Sequence, residues 1–125
     1  MPVLVDTSVV IDYLRGDPRA AHVLETERGR SPLHASEITR LEVLAGMKAS
    51  EERATLALLS TFVWHDVDSQ IAERAGSLGR QWLPSHGAID GADLAIAATA
   101  LSAECRLLTR NLKHFPMFPD LRPAY

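Results

Sequence analysis

The chain has 125 residues, 46% of them apolar and 23% charged, with a formal net charge of −3 and an isoelectric point of about 5.9. That length serves one domain and excludes two units with separate cores, and the apolar content excludes an intrinsically disordered chain. The acidic balance excludes coating of nucleic acid through the overall field of the molecule, so any such binding needs a local basic patch or bound cations.

Cys105 is the only cysteine, which rules out an internal disulfide and argues against a cysteine-built zinc site. No cationic leader opens the sequence, and Asp6 interrupts the first apolar run. The longest apolar stretch, Leu94 to Leu101, is far shorter than the ~20 residues of a membrane-spanning helix. These features predict a soluble, cytoplasmic domain with no membrane partner.

Val3-Leu4-Val5 reads as a short strand buried on both faces of a parallel sheet. A short helix follows Asp6-Thr7-Ser8 and stops at Gly16, and Asp17-Pro18 starts a second one that runs to about Arg28. The segment Pro32 to Ala35 is the candidate second strand. Ser36 then caps a helix whose expected apolar arc is Ile38, Leu41, Leu44 and Ala45, with Glu42 on its margin. Ser50-Glu51-Glu52 opens the next helix with acids in its first turn. Phe62 to Val67 alternates as a strand does. A long helix runs from Asp68 to about Leu83, and a buried, alanine-rich one from Asp90 to about Glu104. Arg106 to Thr109 is the last strand, before a tail with three prolines. Short strands alternating with helices define an α/β fold with a parallel sheet. Trp64 and Trp82 read as core or interface residues rather than as base-stacking platforms.

In such sheets the functional site lies beyond the carboxyl ends of the strands. Asp6 falls there directly after the first strand, although an aspartate in that position also serves as an ordinary helix cap. Glu42, on the margin of its helix's apolar arc, is a second candidate. Asp93 heads the most apolar helix and is the third, while Asp90, three residues earlier, resembles a reciprocal capping partner. Three acids at one sheet mouth repel one another unless a cation neutralises them. Carboxylates without thiolates or paired imidazoles suit Mg²⁺ or Mn²⁺ rather than zinc. The five histidines show no HxxxH spacing, and the phosphate-loop, dinucleotide-turn and nucleophile-elbow motifs are absent.

Four segments together resemble the PIN-domain family. Val3-Leu4-Val5-Asp6-Thr7-Ser8-Val9-Val10-Ile11-Asp12 is similar to its opening strand with the first catalytic aspartate. Ser36-Glu37-Ile38-Thr39-Arg40-Leu41-Glu42-Val43-Leu44-Ala45-Gly46 resembles its second motif, with Glu42 as the acid. Asp93-Leu94-Ala95-Ile96-Ala97-Ala98-Thr99-Ala100 resembles the third, and Leu108-Thr109-Arg110-Asn111-Leu112-Lys113-His114-Phe115 the closing one. The compact form is most similar to VapC-type toxins of bacterial toxin–antitoxin pairs.

The resemblance implies a single PIN domain over residues 1–125, in three layers, with about five parallel strands between helices. It implies a Mg²⁺- or Mn²⁺-dependent endoribonuclease that leaves 5′-phosphate and 3′-hydroxyl ends. It also implies inhibition by a cognate VapB-type antitoxin, and a homodimer. Asp6, Glu42 and Asp93 are then the catalytic and metal-binding acids. Asp90, Thr7, Ser8, Thr109 and Asn111 are candidate supporting residues, and for Thr7, Ser8 and Thr109 ordinary capping or turn chemistry is the commoner duty. Asn111 stands where many members carry a fourth acid, and it adds no charge. Arg110, Lys113, His114, Arg15 and Arg40 are the candidate contacts to RNA. Three rival readings remain at the level of the residues. A phosphatase of the haloacid-dehalogenase type needs a second aspartate where Ser8 stands. A PIN-like binding module keeps the fold without catalysis. In a purely structural domain the three acids are caps and ion-pair partners.

Overall fold

Three consecutive apolar residues form the central strand because both sides of the sheet are covered there. The computed structural model describes residues 1–125. The elements in order are β1 (Val3–Val5), α1 (Thr7–Leu14), α2 (Pro18–Arg28), β2 (His34–Ser36), α3 (Glu37–Ala45), α4 (Glu52–Leu59), β3 (Val63–His65), α5 (Ser69–Trp82), α6 (Gly91–Ser102) and β4 (Arg106–Leu108), with single 3₁₀ turns at Ala49–Glu51 and Leu112–His114. The sheet is parallel throughout, in the order β3-β2-β1-β4. Val3 and Val5 pack on one core with Val9 and Val10 of α1, Ala20 and Leu24 of α2, and Leu58 and Leu59 of α4. Leu4 points the other way, into a second core with Ile96, Ala97 and Ala100 of α6 and with Phe115. Helices therefore cover both faces, and the result is a three-layer α/β/α arrangement.

The strand order places a topological switch point between β1 and β4. The chain moves outward from β1 through β2 to β3, then returns across the sheet to lay β4 on the other side of β1. Crossovers leave the two strands in opposite directions here, which opens a crevice at their carboxyl ends. Local chemistry holds the chain to this path. Asp17 caps α2 by accepting from the Arg19 N–H at 2.9 Å, with Pro18 in the first turn. Gly16 takes φ +85° between α1 and α2, a conformation that a side chain resists.

Two expectations are corrected. The sheet has four strands rather than about five. The tail runs beside β4 and gives it one ladder-like bond, Ala124 N–H to the Thr109 carbonyl at 2.8 Å, but Pro119 and Pro123 lack the N–H groups a fifth strand needs. The face of α3 also differs. Thr39 and Val43 are the buried positions, while Leu41 is 60% and Leu44 36% exposed. Thr39 tolerates burial because its hydroxyl lies 3.0 Å from that of Thr7, so a polar residue occupies the inner face without an unmet bond. No helix is long and apolar enough to cross a membrane.

Phe115 is 1% exposed at the centre of the second core. Phe115→Ala should cost about 3–5 kcal/mol of stability, read as a lower midpoint in urea. A loss below about 1 kcal/mol would show that the cavity closes around the missing ring.

Candidate active site at the switch point

Asp6 is the residue that the crevice closes around. Its N–H donates to the Leu108 carbonyl at 2.9 Å, which ties the end of β1 to the end of β4. The backbone there is extended, as at a helix cap, yet the side chain caps nothing. Instead Asp6 Oδ2 accepts from Ser8 Oγ at 2.9 Å and from Thr109 Oγ1 at 2.7 Å. Thr109 is fully buried and is itself oriented by the Asn111 N–H, 3.0 Å from its hydroxyl oxygen. Asp6 is 3% exposed, and no Lys, Arg or His side chain pairs with it. Its second oxygen, Oδ1, accepts no bond from the protein.

Glu42 is held from the neighbouring residue. Thr7 Oγ1 lies 2.7 Å from Glu42 Oε1 and 3.0 Å from Thr39 Oγ1. A hydroxyl has one proton and a carboxylate only accepts. Thr7 therefore donates to Glu42 and accepts from Thr39. Like Asp6, Glu42 has no cationic partner.

Asp93 carries the capping duty weighed from the sequence, and its carboxylate also meets a side chain from the closing motif. Its N–H donates to Asp90 Oδ1 at 2.8 Å, and its Oδ2 accepts from the Asp90 N–H at 3.2 Å, a reciprocal cap on α6. The same Oδ2 lies 3.1 Å from His114 Nδ1. Burial pushes the Asp93 carboxyl up to about 6, against the opposing pull of the Asp90 N–H and of His114. The stretch from Thr109 to His114 thus touches Asp6 at one end and Asp93 at the other.

No group of three or more His, Cys, Asp or Glu side chains is gathered closely enough to hold a metal ion by itself. The donor chemistry nonetheless fits a hard divalent cation. The available groups are carboxylate oxygens, and the one thiol, Cys105, is buried in the second core. Mg²⁺ is commonly held by one or two carboxylates with water completing the shell. Asp6 and Asp93 are two such carboxylates, and Glu42 keeps a second oxygen that accepts no bond from the protein.

The basic candidates separate clearly. Arg15 is exposed and enters no ion pair. It lines a cavity of about 430 Å³ with Ser8, Ile11, Asp12, Arg110 and Asn111, and a second one of about 200 Å³ that includes Glu42. Arg110 donates to Asp12 Oδ2 at 2.9 Å. Lys113 is exposed and unpaired. Arg40 is bound to Glu37 and lies 4.1 Å over the Trp64 ring, and His114 is turned toward Asp93. Sequence reasoning gave no role to Thr39, Asp12 or Tyr125. Thr39 stands three positions before Glu42, one turn away on the same helix face, and that spacing was a usable signal. Asp12 lies inside the first motif. Tyr125 carried no signal at all.

The profile of the PIN domain matches residues 3–117, and the chain belongs to the PIN-domain family. It is 46% identical to ribonuclease VapC19 of Mycobacterium tuberculosis, over 98% of both chains. It is 38% identical to ribonuclease VapC10 of the same organism, over 98% of this chain and 92% of that one. Within the family, then, it is of the VapC type. A toxin–antitoxin complex from Klebsiella pneumoniae contains a chain that superposes with a TM-score of 0.84 at 33% identity, covering 98% of each. A chain of VapBC2 from Rickettsia felis, bound to a promoter DNA fragment, gives 0.78 at 26%, covering 97% of this chain and 96% of that one.

The raised Asp93 carboxyl has a stability consequence. Between its ordinary value of 3.8 and about 6, the folded chain binds more protons than the unfolded one, so this group favours folding at low pH and the benefit is lost as pH rises through 6. In EDTA, Asp93→Asn should therefore melt higher than the wild type at pH 8, and the gap should close as pH falls toward 4. A variant that melts lower at pH 8 would mean that the cap and the His114 contact outweigh the buried charge.

Proposed function

We propose that the chain is a Mg²⁺- or Mn²⁺-dependent endoribonuclease, a toxin neutralised by a cognate antitoxin of the VapB type. The observation that carries this reading is the Asp6 carboxylate. It is buried, held on one oxygen by two neutral hydroxyls, and left without a cationic side chain. An ordinary structural acid at that depth is paired. The ribonuclease relatives agree with it, as does the toxin–antitoxin complex with a closely similar chain.

Asp6 and Asp93 hold the ion in this reading. When bound, it polarises the scissile phosphate and lowers the pKa of a coordinated water. Thr109 and Ser8 fix the Asp6 oxygen that faces the protein, which leaves the other free. Thr7 fixes one oxygen of Glu42, leaving the second to orient the attacking water or accept its proton. Arg15, Arg110 and Lys113 provide the local positive charge that the acidic chain otherwise lacks, and they grip the RNA backbone. Hydrolysis leaves 5′-phosphate and 3′-hydroxyl ends. An arginine or lysine of the antitoxin, inserted among the carboxylates, competes with both metal and phosphate. Leu41 and Leu44 of α3 and Leu56 of α4, 36–60% exposed, supply apolar surface for a homodimer.

The test is cleavage of pooled transfer and ribosomal RNA by the antitoxin-free protein in Mg²⁺, Mn²⁺ or EDTA. Discrete cuts that need metal and vanish in Asp6→Asn and Asp93→Asn support the nuclease. No cuts from folded protein point to the binding module, and cuts that persist in both variants place the chemistry elsewhere. For the assembly, Leu41→Glu with Leu44→Glu should shift the sedimentation coefficient from dimer to monomer with little change in melting temperature. An unshifted dimer would move the interface off α3.

A further inference from the structure

The cavity of about 430 Å³ starts one hydrogen bond from Asp6. Ser8 lines it, and the Ser8 hydroxyl is the group that donates to Asp6 Oδ2 at 2.9 Å. Two arginines, Arg15 and Arg110, line it against a single carboxylate, Asp12, beside the exposed amide of Asn111. Such a cavity favours an anion, and a phosphodiester is the anion that the neighbouring carboxylates process in the reading above.

Arg110 is not a free surface side chain. One terminal nitrogen, Nη1, donates to Asp12 Oδ2 at 2.9 Å, and the guanidinium carbon lies 5.0 Å from the centre of the Tyr125 ring. The Tyr125 hydroxyl donates to the same Asp12 oxygen at 2.6 Å. Arg19 lies 5.2 Å from the same ring and is itself fixed to Asp17 at 2.8 Å. The tail is pinned next to this cluster, because the Ala124 N–H donates to the carbonyl of Thr109, the residue before Arg110. Tyr125 thus sits beside two arginines and donates to the acid that pairs with one of them. Only Nη1 of the fork is committed within the protein, so its remaining donors are available to a ligand.

We propose that Tyr125 and Asp12 are positioning residues that hold the Arg110 guanidinium in place for an RNA backbone phosphate adjacent to the cleaved one. This rests on the nuclease reading and adds to it two residues outside the acidic site. A side chain already fixed in its binding orientation loses less rotamer freedom when the ligand arrives. The protonation states suit the role. The Tyr125 hydrogen bond and the Arg110 charge hold the Asp12 carboxyl below its usual range against the effect of burial. Burial and the Asp12 charge push the Tyr125 phenol well above its own. Asp12 therefore stays an acceptor and Tyr125 a donor throughout the working pH range.

The experiment is a double-mutant cycle with Tyr125→Phe, Arg110→Ala and the two combined. Its substrate is an oligoribonucleotide carrying a site cut by the wild type. Phenylalanine keeps the ring beside the two arginines and removes only the hydroxyl, so melting temperature serves as the control for folding. Tyr125→Phe should raise KM roughly threefold to tenfold, the scale of one net hydrogen bond, with kcat within about twofold. Arg110→Ala should raise it further, and the combined variant should equal Arg110→Ala, because Tyr125 acts through Arg110. Effects that add independently overturn the proposal, as does an unchanged KM. A lower KM in Tyr125→Phe also overturns it, since Asp12 would then be restraining Arg110 from the substrate. Absence of metal-dependent cleavage by the wild type overturns the nuclease reading and this one with it. Cleavage with an additive cycle removes only the positioning role.

Discussion

The hydrogen bond from Thr109 to Asp6 is the contact on which the candidate site depends. It joins the ends of β1 and β4 on the two sides of the switch point. Through the Asn111 N–H it also fixes the turn that carries His114 to Asp93. The partners of Asp6 are neutral hydroxyls, which satisfy one oxygen of a buried carboxylate without cancelling its charge. A lysine in place of Thr109 would pair the acid and occupy it with a cation of the chain's own. The arrangement therefore keeps a carboxylate buried without a cationic partner, a pattern common at functional sites.

Asp93 shows the same trade in a different setting. Its backbone and one oxygen close the cap of α6, which is a structural task, yet the burial that comes with heading an apolar helix raises its pKa. The cap and the proposed metal-binding role of this residue are compatible. The cap orients the carboxylate, and the apolar helix below it withholds water. At Asp6 the two readings do separate, because the cap position is occupied and no cap bond is made.

Much of this was legible because it rests on local chemistry. The unbroken Val3-Leu4-Val5 run gave a doubly covered strand, Asp17-Pro18 a helix start, and Asp90 with Asp93 a reciprocal cap. Each of these signals lies within a few residues of its own cause. The inner face of α3 was not legible, since Thr39 is buried by a hydroxyl partner 32 positions away and the more apolar Leu41 and Leu44 face outward. The count of about five strands came from the family resemblance, whereas the residues themselves mark four, the number in the sheet. Tyr125 was invisible because its contacts with Asp12 and Arg110 exist only once the tail has folded back across α1.

The span of the Thr109–Asp6 bond also has a temporal consequence. Its two residues are 103 positions apart, so a chain growing on the ribosome exposes the first acid long before the group that orients it. All four strands are three residues long, too short to hold an unfinished sheet in register without its neighbours. The Thr109 contact to Asp6 is therefore absent from any copy that ends before Thr109, and translation itself delays the moment at which the candidate site is assembled.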